Sequence, residues 1–172
     1  MAEASDTGAI VQLSVSPGGL PKRPVAEALI TRDGLDGDAH RDHAHHGGPD
    51  RAVCLFPLEA IRGLVAEGHA IVPGALGENV TTEGLDWSRV APGAHLLLGD
   101  TVLVQVTKYT TPCFNIAPLF QARDVGRVSQ KRHPGWSRVY ARVLLAGRVR
   151  AGDVVRLLSE RQAAEIGATA AP

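Results

Sequence analysis

The chain has 172 residues, 44% of them hydrophobic, and its 18 Lys and Arg balance 18 Asp and Glu at a formal net charge of zero. That length suits one domain with a sizeable core, and the balanced charge argues against bulk phosphate neutralisation on a nucleic acid or attraction to a membrane surface. No run approaches the roughly 20 apolar residues of a membrane span, and the opening Met-Ala-Glu-Ala-Ser-Asp lacks the basic and apolar regions of a signal peptide, so a cytoplasmic protein is expected.

In chain order, residues 9–15 read as a strand closed by the turn Ser16-Pro-Gly-Gly19, and residues 25–31 alternate as a second strand. Pro57 suits a first helical turn, and Leu58, Ile61, Leu64 and Val65 mark one helical face that Gly68 ends. Residues 96–107 hold two short strands with Gly99-Asp100 as the hairpin turn, and Val102, Val104 and Val106 share a face by the two-residue period. A short helix is expected after Cys113, through Ile116 and Leu119, followed by β-rich runs at 140–145 and 154–158. The Ala-rich tail, 159–172, reads as either a frayed helix or a disordered end. Many short strands, frequent turns and few helices predict a mainly β, barrel-like domain over residues 8–158 rather than an α/β sheet.

Two cysteines are too few for a disulfide framework. Cys54 sits in the apolar run Ala-Val-Cys-Leu-Phe and is expected to be a small buried hydrophobe, whereas Thr110-Thr111-Pro112 breaks the strand pattern before Cys113 and marks that thiol as a functional candidate. Four histidines (His40, His43, His45 and His46) and two aspartates between Asp38 and His46 have the side chains of a zinc or nickel site. Their spacing matches no standard zinc pattern and no second Cys/His cluster completes it, so zinc there is the lesser expectation. His46-Gly47-Gly48-Pro49-Asp50-Arg51 reads either as a tight turn whose amides face an anion, with Arg51 as a bidentate clamp, or as an ordinary loop with a surface Arg. Gly77-Glu78-Asn79, just before a β-branched run, reads as either a structural clip or part of a ligand site.

The ordered set of Gly34-Leu-Asp-Gly-Asp38, His46-Gly-Gly-Pro-Asp-Arg51, Gly77-Glu-Asn-Val-Thr-Thr-Glu-Gly84, Gly99-Asp100 and Thr-Pro-Cys113 closely resembles the MOSC domain, the C-terminal domain of molybdenum cofactor sulfurase. Within that family it is most similar to stand-alone bacterial proteins linked to hydroxylaminopurine resistance. The resemblance implies a β-barrel-like fold over nearly the whole chain and a site for molybdenum cofactor. It makes Cys113 either the molybdenum ligand of a reductase of N-hydroxylated compounds or a persulfide-bearing sulfur carrier. A ligand-binding module without catalysis is the third reading. Asp38, His46, Gly47, Gly48, Asp50, Arg51, Gly77, Glu78, Asn79, Lys108 and Thr110 are the candidate cofactor-binding residues. Where the family often has an Arg or another basic residue close before the Pro-Cys pair, this chain reads Lys108-Tyr-Thr-Thr-Pro-Cys113. Lys108 can supply the charge but not the bidentate fork of an Arg, and Leu76 replaces the usual aromatic residue before Gly77. The enzyme reading calls for a small-molecule substrate and a separate electron-donor protein, with the chain a monomer or homodimer.

Overall fold

The computed structural model describes residues 5–39 and 47–172. Its centre is a closed barrel of seven strands, built from β1 (Thr7–Val15), β5 (Val53–Pro57), β6 (Val80–Glu83), β7 (His95–Leu98), β8 (Val102–Tyr109), β9 (Val139–Leu145) and β11 (Val154–Leu158). Going around the wall, the order is β1, β11, β7, β8, β9, β5, β6 and back to β1. Only β5 and β6 run parallel; the other six contacts are antiparallel, so closure leaves the barrel no open edge. β2 (Arg23–Val25) extends β1, and β3 (Glu27–Thr31) forms a separate three-stranded sheet with β4 (Gly34–Leu35) and β10 (Gly147–Arg150).

The mainly β barrel predicted from the sequence is the fold observed. The hairpin at Gly99-Asp100 joins β7 to β8 with Leu98 opposite Val102, and Val102, Val104 and Val106 all face the core. The single strand expected over 25–31 is two, divided at Ala26: β2 pairs with β1 while β3 pairs with β10. Alternation reports which face a residue takes but not which sheet its backbone joins. The turn after Cys113 is a 3-10 helix over Phe114–Leu119, because Pro118 inside it has no N–H to continue an α-helical ladder.

Burial follows the two-residue period. Ile10, Leu13, Val53, Leu55, Val80, Leu96, Leu98, Val104, Val139 and Ala141 belong to one barrel core, whose fully buried members are all aliphatic. Two smaller clusters sit on the outside of the wall. One packs α1 (Leu58–Ala66) and Phe56 against Ile71, Leu76, Ile116, Phe120 and Val128. The other docks α2 (Glu160–Ala170) on Leu97 and Leu103 through Ala163 and Ile166. The tail therefore resolves as helix, started by a capping box in which Ser159 and Gln162 satisfy each other's backbone N–H groups. No helix among the described residues is long and apolar enough to cross a membrane.

Candidate functional site

Val53 and Leu55 of β5 and Val139, Ala141 and Val143 of β9 belong to the barrel core, so the residues between them point out. Cys54 and Tyr140, directly paired across the two strands, thus share the outer wall. The second apolar cluster and the loops around it rise beside that wall and leave a cavity of about 340 Å³. Cys54 and Tyr140 form part of its lining, with Gly19, Leu20, Lys22, Arg51, Leu76, Gly77, Asn79, Cys113, Asn115 and Arg138. The volume lies within the roughly 300–1,000 Å³ of small-molecule sites.

A connected polar framework holds the lining. Asp38 Oδ2 accepts from Lys22 Nζ at 2.6 Å and from Asn79 Nδ2 at 2.8 Å, while its Oδ1 accepts the Ser16 N–H at 2.9 Å. Asn79 also donates to the Ser14 carbonyl at 3.2 Å and accepts the Cys54 N–H at 3.0 Å, stitching β1 to β5 beside the cavity. Lys22 and Asp38 form a buried ion pair, their side chains only 6% and 3% exposed. Glu78 is wholly buried, and its Oε1 accepts the Gly74 N–H at 2.7 Å, so this carboxyl pins the turn before it. Desolvation raises the Glu78 pKa against the opposing effect of its hydrogen bonds and of Arg138.

The cavity's two thiols differ. Cys54 is 4% exposed, and burial pushes its pKa up to about 11 despite the lowering influence of Arg138 and Lys22, so it stays a neutral thiol at physiological pH. Cys113 is half-buried and occupies the position just before the 3-10 turn Phe114–Leu119, with no capping hydrogen bond from its side chain. Its arm is tied to the residues leading into β9, because the Thr110 N–H donates to the Arg138 carbonyl at 3.0 Å and Ser137 Oγ donates to the Thr110 carbonyl at 3.3 Å. The Arg51 guanidinium lies 6.0 Å from the centre of the Tyr140 ring. Burial likewise lifts the Tyr140 phenol to about 12, so it keeps its proton.

Of the residues singled out from sequence, Arg51, Gly77, Asn79 and Cys113 come together in the cavity lining. Asp38 stands directly behind it as partner to Lys22 and Asn79. Glu78 and Thr110 are buried supports of the adjoining turns. Gly47, Gly48, Asp50 and Lys108 lie outside the lining, with Asp50 paired to Arg142 at 3.0 Å. His46 and the rest of the His40–His46 stretch fall outside the described residues. Among the described residues no group of three or more His, Cys, Asp and Glu is placed to hold a metal ion.

Sequence reasoning missed Lys22, Arg138, Tyr140 and Asn115. Lys22 follows a Pro after the first strand and reads as a surface turn residue. Tyr140 carried a faint signal, since it alternates with Val139, Ala141 and Val143 and so had to take the other face of β9, and Arg138 precedes that strand in the same alternation.

A seven-stranded barrel carrying a cysteine-containing, cation-lined pocket on its outer wall is thus the class of protein that fold and site define. Residues 42–156 match the MOSC domain model, and the chain belongs to that family. It is 35% identical over 143 residues to YflK of Bacillus subtilis, an uncharacterized protein, covering 82% of this chain and 63% of that one. It is 33% identical over 138 residues to YiiM of Escherichia coli, covering 77% of this chain and 60% of that one. The crystal structure of Escherichia coli YiiM superposes with a TM-score of 0.65 at 28% identity, over 89% of this chain and 70% of that structure. A Gibberella moniliformis protein named as a reductase is 32% identical over 130 residues, covering 73% of this chain but 22% of its own length. The aligned part of this chain therefore spans about six-tenths of the two bacterial relatives.

Proposed function

We propose that this protein binds molybdenum cofactor and reduces N-hydroxylated compounds, such as N-hydroxylated bases, in the cytoplasm with electrons from a separate donor protein. The observation that carries the reading is the pairing of a half-buried Cys113 thiol with Lys22, Arg51 and Arg138 around one cavity. The fit to such a group is chemical. A thiolate is a soft donor suited to molybdenum, and a cationic lining suits the phosphate of the pterin. Cys113 is the better ligand of the two thiols, because ligation requires a deprotonated sulfur and burial holds Cys54 protonated. Membership in the MOSC family and similarity to a protein named as a reductase support the same direction.

When bound, the cofactor supplies a two-electron redox centre able to take oxygen from an N–OH group. The chain's own residues do the rest. Cys113 Sγ would hold the metal end, and Arg51 and Arg138 would offset negative charge. Asn79 and the Gly77 turn set the shape of the wall between them. Tyr140, on the cavity wall, keeps its phenolic proton across the physiological range. The barrel wall behind Cys54 and the apolar cluster beside Leu76 exclude water from that side.

The reading is tested by turnover. Cofactor-loaded protein should oxidise a reduced viologen dye when an N-hydroxylated base is added, giving the corresponding amine. Cys113→Ala should lose this by at least about a hundredfold, the scale set by loss of a centre on which the chemistry depends. Loaded wild type that leaves the dye reduced with every N-hydroxylated compound offered would overturn it.

A further inference from the structure

We propose that Arg138 is an oxyanion anchor, the residue that takes a phosphate-class group of the cavity's ligand. This deepens the reading above by assigning the ligand's anionic end, and it does not require molybdenum.

The argument begins with charge. Arg138 is only 6% exposed and lines the cavity. A guanidinium cannot shed its proton in a protein, so this is a buried positive charge. Lys22, the other buried cation of the lining, is answered by Asp38 at 2.6 Å. Arg138 has no such answer: among the described residues no carboxylate lies within ion-pair distance of it, and no described Asp or Glu lines the cavity. Glu78 is within reach of its field, yet the Glu78 Oε1 contacts go to Gly74 and Thr81.

Hydrogen bonding points the same way. Arg138 Nη1 donates to the Leu76 carbonyl, while its Nε is buried with no hydrogen-bond partner. A buried donor on a charged group is costly to leave unmet, and a guanidinium fork matches two oxygens of a phosphate. The fork is also held in place. Gly74 and Glu78 pin the turn that presents the Leu76 carbonyl, and the Lys22 N–H bonds to the Gly74 carbonyl at 3.1 Å. Gly77 adopts φ +94°, and a Cβ there would come within 3.7 Å of Arg138 Nη1 and 3.1 Å of Leu20. The Thr110 N–H bonds to the Arg138 carbonyl, so the same residue also fixes the arm that carries Cys113. A sequence with no Arg before Pro112-Cys113 thus gains a guanidinium in that pocket from β9's approach.

Inorganic phosphate is the probe. It is titrated calorimetrically into cofactor-free full-length protein at constant ionic strength held with sodium chloride, so that specific binding is separated from screening. Wild type should bind phosphate saturably and melt at a higher temperature in phosphate than in chloride. Arg138→Gln, which removes the charge and the fork while keeping a polar side chain, should weaken binding by about tenfold or more and lose the thermal shift. If Arg138→Gln fails to fold, Arg138→Lys is the comparison, and it should bind several-fold more weakly because it lacks the fork. Phosphate affinity unchanged in the folded variant, or no saturable binding by wild type up to tens of millimolar, would overturn the anchor. Cys113→Ala should still bind phosphate, so loss of molybdenum from that variant leaves the anchor standing, and failure of the anchor leaves the metal reading to its own test.

Discussion

The two faces of β5 and β9 make the sharpest contrast in the molecule. Inward, Val53, Leu55, Val139, Ala141 and Val143 join a core whose buried members are all aliphatic. Outward, the same strands offer Cys54 and Tyr140, with Arg138 at the entry to β9, to a cavity edged by Lys22, Asn79 and Cys113. Among the described residues most buried polar side chains gather on this outward side: Glu78, Asn79, Thr81, Thr110, Ser137 and Arg138 adjoin it, and Ser14, Ser16 and Lys22 close its other flank, while Thr82 falls on the face of Val80. Of the five buried side-chain atoms without a partner among the described residues, Glu78 Oε2, Thr110 Oγ1 and Arg138 Nε belong to this region. A fold gains nothing from such atoms, since a buried unmet polar group costs about 1–3 kcal/mol. The inner face states how the chain is held together, and the outer face states what it is for.

Substitutions can break or sharpen that contrast. The largest effect is expected for Lys22→Ala, which removes the 2.6 Å partner of buried Asp38 and should destabilise the fold by about 3–5 kcal/mol in denaturant unfolding while also weakening ligand binding. Leu55→Ala, wholly inside the barrel, should cost about 2–5 kcal/mol but leave the affinity of the folded protein for phosphate unchanged. A change in that affinity would show that the two faces are not independent. Cys54 supplies a pH signature on the outer face. Its pKa is raised on folding from 9.0 to about 11, so its contribution is fully present below pH 9 and lost as pH rises through 11. That loss amounts to about 2–3 kcal/mol, and Cys54→Ala should flatten this part of the stability profile. Tyr140, raised to about 12, begins its own loss above pH 10, so the difference between wild type and variant is the quantity to read. The smallest effect is Ser159→Ala, which removes the α2 capping box far from either face and should cost about 1 kcal/mol with no change at the cavity.

The barrel was legible because its strands alternate and its turns are marked. Residues 9–15, 96–107 and 154–158 needed nothing beyond the two-residue period and Gly or Pro punctuation. The parallel β5–β6 contact was not, since β5 is buried on both faces and an unbroken apolar run carries no period to read. The site divides the same way. Arg51, Gly77, Asn79 and Cys113 sit in recognisable motifs, and the cavity joins them. Lys22, Arg138 and Tyr140 enter it only through the third dimension: Lys22 by the return of the chain after β1, Arg138 and Tyr140 by the pairing of β9 with β5. Local sequence does not record which strand will lie beside which.

The most direct test of the central claim is elemental analysis of wild type and Cys113→Ala, both purified from a host that makes molybdenum cofactor. Near-stoichiometric molybdenum and cofactor phosphorus in wild type, with molybdenum lost in the variant, is the result this account predicts. No molybdenum in either protein, with the host's cofactor supply verified, would contradict it and direct attention to a persulfide on Cys113.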